Sequence, residues 1–234
     1  MRTITIFVLV LTLSSCAFLK TVFSPPIRPE GFTIDMRSPQ VPIGETEAYF
    51  NTAFGGMKKA DVTGIYFPIE DAFCLRYKIN TLTFHQFWTR SGRDMYISAL
   101  EQYNEAFDSK NLIRNSSKTR NLYGTFLGFL VWQEFAFTVQ SRGNMEMELG
   151  YYFRKGSPFF TIGQGEAHFK NADSKKDRVS GEKPMYLTRA QAEEIAAFFD
   201  QEMLISSIPA ELLLIMQSTA TERRASASSD FDDY

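Results

Sequence analysis

The chain has 234 residues, and its 25 lysines and arginines nearly balance 27 aspartates and glutamates, for a formal net charge of −2. This balance excludes the strong positive field of nucleic-acid-binding surfaces, so we expect no nucleic-acid partner. The 22 phenylalanines indicate an aromatic-rich folded core and exclude a largely disordered spacer.

The first fifteen residues are predicted to be a secretory signal peptide. Arg2 provides the positive start, and residues 4–13 form an apolar run without charge. The run is about half as long as the roughly 20 residues that a helix needs to span a bilayer. An aliphatic residue and two serines then precede Cys16. This order is typical of a cleavable signal, so residues 1–15 are excluded from the fold.

The stretch Leu13-Ser14-Ser15-Cys16 resembles a bacterial lipobox, in which an aliphatic and two small residues precede a cysteine that receives diacylglycerol through a thioether. Because Ser15 stands where glycine or alanine is usual, the stretch is similar to the relaxed lipoboxes of spirochaetal lipoproteins. The resemblance implies lipidation of Cys16 and anchoring of an exported domain to a membrane of the bacterial cell envelope. The alternative is an ordinary cleaved signal followed by an incidental cysteine.

The mature chain is predicted to have three parts. Residues 16–31 contain three prolines and no periodicity, which favours an extended, lipidated tether. Residues 32–216 are expected to form one domain, and residues 217–234 an acidic disordered tail. If Cys16 is lipidated, Cys74 has no intramolecular disulfide partner, and we expect a small buried side chain there. Intermolecular pairing of Cys74 is the alternative.

The N-terminal half is predicted to be rich in strands. The predicted strands comprise residues 31–36, 62–67, 72–79 and 82–88. The third has the clearest alternation, with apolar Phe73, Leu75, Tyr77 and Ile79 on one face. A capping pattern at Ser91 then predicts a helix over residues 92–108.

A long apolar stretch, residues 122–139, is predicted to form one bent strand or two strands, with a bend or bulge favoured at Gly124 and Gly128. Apolar side chains on both of its faces indicate either core filling or one face that lines a cavity for an apolar ligand. Residues 145–153 alternate with period two and are expected to pair with residues 159–162 as a hairpin.

The C-terminal part is predicted to begin with an exposed loop over residues 170–184. A capping box at Thr188 predicts a helix over residues 188–204, and Pro209 favours a further short helix that extends to Met216. Together these segments predict an α+β fold, with an antiparallel sheet of about six or seven strands covered by two or three helices.

No combination of residues predicts a catalytic, cofactor or metal site. His85 and His168 lie far apart in the sequence, without the short ligand spacing of a zinc site, and are interpreted as structural histidines. The acidic pair Glu70-Asp71 is expected in a turn between strands. The pair Glu193-Glu194 is expected in the first turns of a helix, where the dipole favours anions.

Three classes of function remain open at this point. The first is a lipid-anchored envelope protein without catalytic activity, which acts through an envelope protein partner or as part of envelope structure. The second is a lipoprotein that binds or carries an apolar ligand or lipid in an aromatic-lined cavity. The third is an enzyme whose site the sequence does not reveal, which would require polar groups with perturbed pKa values to converge in a cleft.

Overall fold

The protein is described by a computed structural model over residues 34–52, 55–114, 121–134, 141–169 and 178–216. In these ranges, eight strands form a closed barrel in which every neighbouring pair runs antiparallel. The predicted α+β class with antiparallel pairing is therefore confirmed. The barrel contains one or two strands more than the predicted sheet.

The barrel strands follow one another around the barrel almost in chain order. The first seven are β1 (Val41–Asn51), β2 (Met57–Phe67), β3 (Ala72–Ile79), β4 (Leu82–Trp88), β5 (Asn121–Glu134), β6 (Ser141–Arg154) and β7 (Ser157–Gln164). The eighth, β10 (Met185–Leu187), follows a connecting segment after β7, pairs with β1 and closes the barrel. The segment between β7 and β10 contains a separate two-stranded sheet, formed by β8 (Ala167–Phe169) and β9 (Arg178–Ser180).

Four helices accompany the barrel in the described ranges: α1 (Arg90–Asp108), α2 (Arg189–Phe199), α3 (Gln201–Ser206) and α4 (residues 210–216). Helix α1 begins two residues before the predicted start, because the Thr89 side chain, rather than Ser91, caps it by accepting from the Gly92 N–H. The predicted capping box of Thr188 and Gln191 at α2 is confirmed. The single helix predicted over residues 188–204 is two helices, because Asp200 ends α2 and caps α3.

Helices α1 and α2 close one end of the barrel, which we call the helical end. They begin directly after β4 and β10, and their aromatic side chains enter the barrel interior. Trp88 lies 5.0 Å from both Phe126 and Phe199, measured between ring centroids, and Tyr96 of α1 lies 5.0 Å from Phe199. The Tyr96 hydroxyl donates to the Ala192 carbonyl and thereby joins the two helices. Eight of the 22 phenylalanines belong to the interior cluster or pack against it.

Two glycines create the space in which α2 packs against the barrel wall. Gly44 of β1 pairs with Gly64 of β2, and the ring of Phe198 covers both. A Cβ atom at Gly44 would lie 2.7 Å from Phe198 Cε1. The Thr46 hydroxyl also donates to the Glu194 carboxylate of α2. Small residues on β1 therefore admit the helix, and this explains why β1 lacks the apolar pattern of a predictable strand.

Residues 34–36 lie outside the sheet, so the strand predicted over residues 31–36 is wrong for its described part. Instead, Ile34 packs on the outer face of the barrel, in a second apolar cluster separate from the barrel interior. That cluster contains Ile65, Phe67, Cys74, Phe87 and Val131. The apolar alternation around Ile34 thus arises from a segment that covers the wall without joining its ladder.

The second cluster also explains the apolar stretch in β5. Leu130 and Trp132 face the barrel interior, whereas Phe129 and Val131 pack in the outer cluster. The bulge predicted at Gly124 is confirmed, because the register of β5 against β6 shifts between Leu122 and Gly124. Both faces of this strand are therefore packed against side chains of the protein.

Several predictions concern residues beyond the described ranges. The signal peptide (1–15), the tether with Cys16 (16–31) and the acidic tail (217–234) all lie outside them, as does the end of the strand predicted over residues 122–139. The loop predicted over residues 170–184 is wrong at its described end, because residues 178–180 form β9. Strand β9 pairs with β8, and the backbone of β8 at His168 packs against Gly143 near the start of β6.

Candidate functional site

The barrel wall divides between β2 and β3 at the end opposite the helices, which we call the cleft end. The ladder of β2 with β3 runs from Phe67, paired with Ala72, to Val62, paired with Tyr77. Beyond Val62, β2 continues to Met57 and, among the described residues, pairs there with β1 alone. Strand β3 likewise continues beyond the ladder and pairs with β4. The two strands therefore separate and leave an opening in the wall.

A cleft of about 510 Å³ occupies this opening. Its lining comes from three strand ends and comprises Phe50, Asn51, Thr52, Lys58, Lys59, Ala60, Asp61, Lys78, Ile79 and Asn80. A volume of this size lies within the range of about 300–1,000 Å³ that small-molecule sites in proteins occupy. The cleft combines an apolar base with a polar, lysine-containing rim.

The strand register decides which of these side chains belong to the inner face of the wall. Lys58 is paired with Phe50, and Ala60 with Ala48. Residues directly opposite each other in an antiparallel ladder lie on the same face. Because Phe50 and Ala48 belong to the barrel core, Lys58 and Ala60 occupy inner-face positions, with Lys58 at the exposed rim.

The other two lysines of the rim occupy outer-face positions. Lys59 is paired with Tyr49, and its ammonium group forms a salt bridge with Glu47 and lies 5.6 Å from the Tyr49 ring centroid. The hydrogen bond and charge of Glu47 raise the pKa of Lys59. Lys78 alternates with inner-face Tyr77 and Ile79, and is likewise on the outer face, as is Asp61.

The base of the cleft is closed by a stack of three aromatic rings. Phe50 stacks on Tyr77 with 4.9 Å between ring centroids, and Tyr77 stacks on Phe84 with 5.3 Å. All three side chains are buried. At this depth the barrel interior is therefore filled by aromatic side chains, as small eight-stranded barrels often are.

A buried polar network lies behind this stack. The Tyr77 hydroxyl donates to Gln164 Oε1 at 2.7 Å, and Gln86 Nε2 donates to the same oxygen at 3.4 Å. Trp88 Nε1 in turn donates to Gln86 Oε1 at 3.2 Å. Gln164 Nε2 is buried without a partner in the described structure. Burial raises the pKa of the Tyr77 hydroxyl, which stays protonated and serves as a donor.

A second polar cluster lies at the helical end. The buried Arg93 guanidinium of α1 donates to the Asp71 carboxylate at 2.7 Å and to Gln201 Oε1 of α3 at 2.8 Å. Tyr66 also donates to Asp71, and burial, with Asp71 second, raises the pKa of Tyr66 to about 12. Because these contacts join a strand turn to two helices, we interpret the cluster as structural.

Cys74 and His85 occupy diagonal positions on the outer face of the β3–β4 ladder, whereas His168 belongs to β8. Cys16 lies outside the described ranges. The prediction that Cys74 is buried is confirmed, and desolvation raises the pKa of its thiol. His85 is partly buried on the outer wall, where burial lowers its pKa to about 4, and His168 is exposed. In the described ranges, no group of three or more histidine, cysteine or acidic residues could hold a metal ion.

Neither the cleft nor the buried polar network is predicted by a local sequence pattern. Lys58 and Lys59 are adjacent, so only the strand register distinguishes the inner from the outer lysine. The polar position of Gln164 at an inner-face site of β7 follows buried Phe160 and Ile162 with period two. That alternation was a signal which could have indicated a buried amide.

Comparisons with known proteins identify one family. A family model described as "Uncharacterised Treponema protein" matches residues 16–206 of the chain. Neither the curated proteins nor the solved structures contain a match. Among the helices in the described part of the chain, none has the length and apolar character required to cross a membrane.

Proposed function

The chain belongs to the family of uncharacterised Treponema proteins, and on this premise we propose that it is an envelope lipoprotein anchored to a membrane through Cys16. The observation that carries the proposal is the stretch Leu13-Ser14-Ser15-Cys16 directly after a short apolar run. Membership of a spirochaete family agrees with the relaxed form of this lipobox. The family match also begins at Cys16, the predicted first residue of the mature protein.

The anchor accounts for membrane attachment by its acyl chains. Each buried methylene contributes about 0.8 kcal/mol, and a single acyl chain alone binds a membrane only marginally. A diacylglyceryl cysteine provides two acyl chains, and a further acyl chain on its amino group makes three. The tether predicted over residues 16–31 would then separate the barrel from the bilayer surface.

The anchored domain is proposed to act without catalysis, through an envelope protein partner or as part of envelope structure. The described polar clusters support this role because Arg93 and Asp71 tie structural elements to each other. Ile205 of α3 and Leu214 and Ile215 of α4 are exposed apolar side chains, a residue type that protein contacts often use.

Metabolic labelling with radioactive palmitate tests the anchor. The wild-type protein should incorporate the label and enter the detergent phase of a phase-partition experiment, and Cys16→Ser should do neither. Cys74→Ser is the matched control, because Cys74 is buried in the outer cluster and should have no part in lipidation. If Cys16→Ser keeps both the label and the detergent partition, the lipoprotein proposal is wrong.

A second candidate function is the binding of an apolar ligand or lipid, and the cleft between β2 and β3 favours it. The cleft places Phe50, Ala60 and Ile79 beside a rim of polar side chains, a combination common in small-molecule sites. Native mass spectrometry of protein purified from its own host tests this candidate. A copurifying ligand of defined mass that Ala60→Phe excludes would support it, and a ligand-free spectrum for both proteins would contradict it.

A further inference from the structure

We propose that the cleft binds a small amphiphile with a single anionic head group, which contacts Lys58, and with an apolar part that lies against Ala60 and Ile79 above buried Phe50. This inference rests on the ligand-binding function proposed above and specifies the class of the ligand. It follows from the distribution of charge across the wall, the chemistry of the cleft base and the depth of the cleft.

The charge of the ligand follows from the direction of the three lysines. Lys59 is engaged with Glu47 and the Tyr49 ring on the outer face. Lys78 occupies an outer-face position on the neighbouring strand, on the same side of the wall as Asp61. Lys58 is the rim lysine at an inner-face position, directly opposite Phe50. Although all three lysines line the cleft, Lys58 is the one on the inner face, beside the apolar base, and this favours a ligand with one anionic group at that position.

The apolar part of the ligand follows from the cleft base. Ile79 and Ala60 are partly exposed and present carbon surface below Lys58, and buried Phe50 closes the base of the cleft. Because the Ala60 side chain is a single methyl group, it leaves the cleft open. The Lys58 stem can lie along this surface while its ammonium group remains at the rim. A purely ionic ligand would leave this surface exposed to water, whereas an amphiphile would cover it.

The length of the ligand is limited by the aromatic stack. Phe50, Tyr77 and Phe84 close the barrel interior directly behind the cleft, so a long acyl chain cannot enter the barrel along this path. About 510 Å³ is available outside the stack. The ligand is therefore a short-chain or compact aryl amphiphile with a carboxylate or phosphate monoester head group, rather than a long lipid chain held inside the barrel.

The test is isothermal titration calorimetry on the full chain carrying Cys16→Ser, so that no acyl chain of its own competes. The probes share one alkyl chain and differ in head group: decanoate, decyl phosphate, neutral decyl maltoside and cationic decyltrimethylammonium. Decanoate or decyl phosphate should bind saturably with one-to-one stoichiometry, and the stronger of the two identifies the head group. The neutral and cationic probes should bind at least tenfold more weakly.

Two lysine variants provide a matched comparison, because they remove the same charge from neighbouring positions on opposite faces. Lys58→Gln should weaken binding of the anionic probe about tenfold or more, whereas Lys59→Gln should change it by less than about threefold. Ala60→Phe should abolish binding by filling the cleft, and thermal unfolding of each variant establishes that the barrel remains folded. These results would locate the anion on the inner face.

The outcomes separate this inference from the function on which it rests. If neutral and anionic probes bind equally and Lys58→Gln has no effect, ligand binding stands but the anionic class is wrong. If Lys58→Gln and Lys59→Gln weaken binding equally, the anion is attracted by the net positive charge of the rim, and the placement of its head group on the inner face is wrong. If no probe binds to the wild-type cleft, both the inference and the ligand-binding function fail.

Discussion

The contact between α2 and the barrel wall predicts that Gly44→Ala destabilises the protein when the Phe198 ring is present and stabilises it when the ring is removed. In Gly44→Ala, the new Cβ atom would lie 2.7 Å from Phe198 Cε1 and 2.9 Å from Cζ, and the three nearest atoms all belong to this one ring. The φ angle of Gly44 lies outside the left-handed region, so alanine causes no backbone strain there. The clash with Phe198 is therefore the main structural effect of the substitution.

The magnitude follows from two opposing terms. Overpacking by one methyl group costs about 1–3 kcal/mol. Replacement of glycine by alanine restricts the unfolded chain and returns about 0.4–1 kcal/mol. We expect Gly44→Ala to lower the free energy of unfolding by about 1–2 kcal/mol in the wild type. In a Phe198→Ala background, where the clashing ring is absent, the same change should raise it by about 0.5 kcal/mol.

Urea unfolding of the four proteins in this double-mutant cycle measures the coupling directly. The midpoint is the appropriate quantity as long as the dependence of stability on urea concentration is the same for all four proteins. If Gly44→Ala has the same effect in both backgrounds to within about 0.5 kcal/mol, the two sites are independent. The packing of α2 against β1 would then differ from the structure described above.

Three further predictions concern buried polar groups and are measured by urea unfolding. Burial lowers the pKa of His85 to about 4, below its unfolded value, so the free energy of unfolding should fall by about 3 kcal/mol between pH 7 and pH 4. His85→Gln should reduce that fall. An unchanged pH profile in the variant would contradict this prediction. Asp71→Asn leaves the buried Arg93 charge without its carboxylate and should lower the free energy of unfolding by about 3 kcal/mol. Arg93→Met, which removes the charge itself, should cost less. A larger cost for Arg93→Met would contradict the prediction that the unpaired arginine charge causes the loss. Gln164→Leu should lower the free energy of unfolding by about 1–3 kcal/mol because it removes the acceptor of the Tyr77 hydroxyl. Adding Tyr77→Phe should recover part of that stability. If the effects of the two substitutions simply add, the hydrogen bond between these side chains is contradicted.

The strands with clean alternation could be predicted from the sequence because large apolar side chains on the inner face alternate mainly with polar or small residues on the outer face. Residues 72–79 form β3 as predicted, and residues 145–153 lie within β6. The alternation fails in β1, where the inner positions Gly44, Thr46 and Ala48 are small in order to admit α2. Strand β10 has only three residues, too few for any periodicity, yet it closes the barrel.

The cleft could not be predicted, because it depends on where a ladder ends rather than on which residues are present. Two adjacent lysines in an alternating segment show that one must face inward, but the choice of Lys58 requires the pairing with Phe50. The opening itself requires that β2 and β3 separate beyond Val62 and Tyr77. Such long-range pairing is not encoded in any local pattern.

The central claim is that Cys16 is the lipidated first residue of the mature protein, and mass spectrometry of the tryptic N-terminal peptide tests it most directly. Trypsin cleaves after Lys20, so the predicted peptide is Cys16-Ala-Phe-Leu-Lys20. Its mass should include a diacylglyceryl group on the Cys16 sulfur, with or without a further acyl chain on the amino group. An N-terminal peptide that begins upstream of Cys16, or one that contains an unmodified cysteine, would contradict the claim.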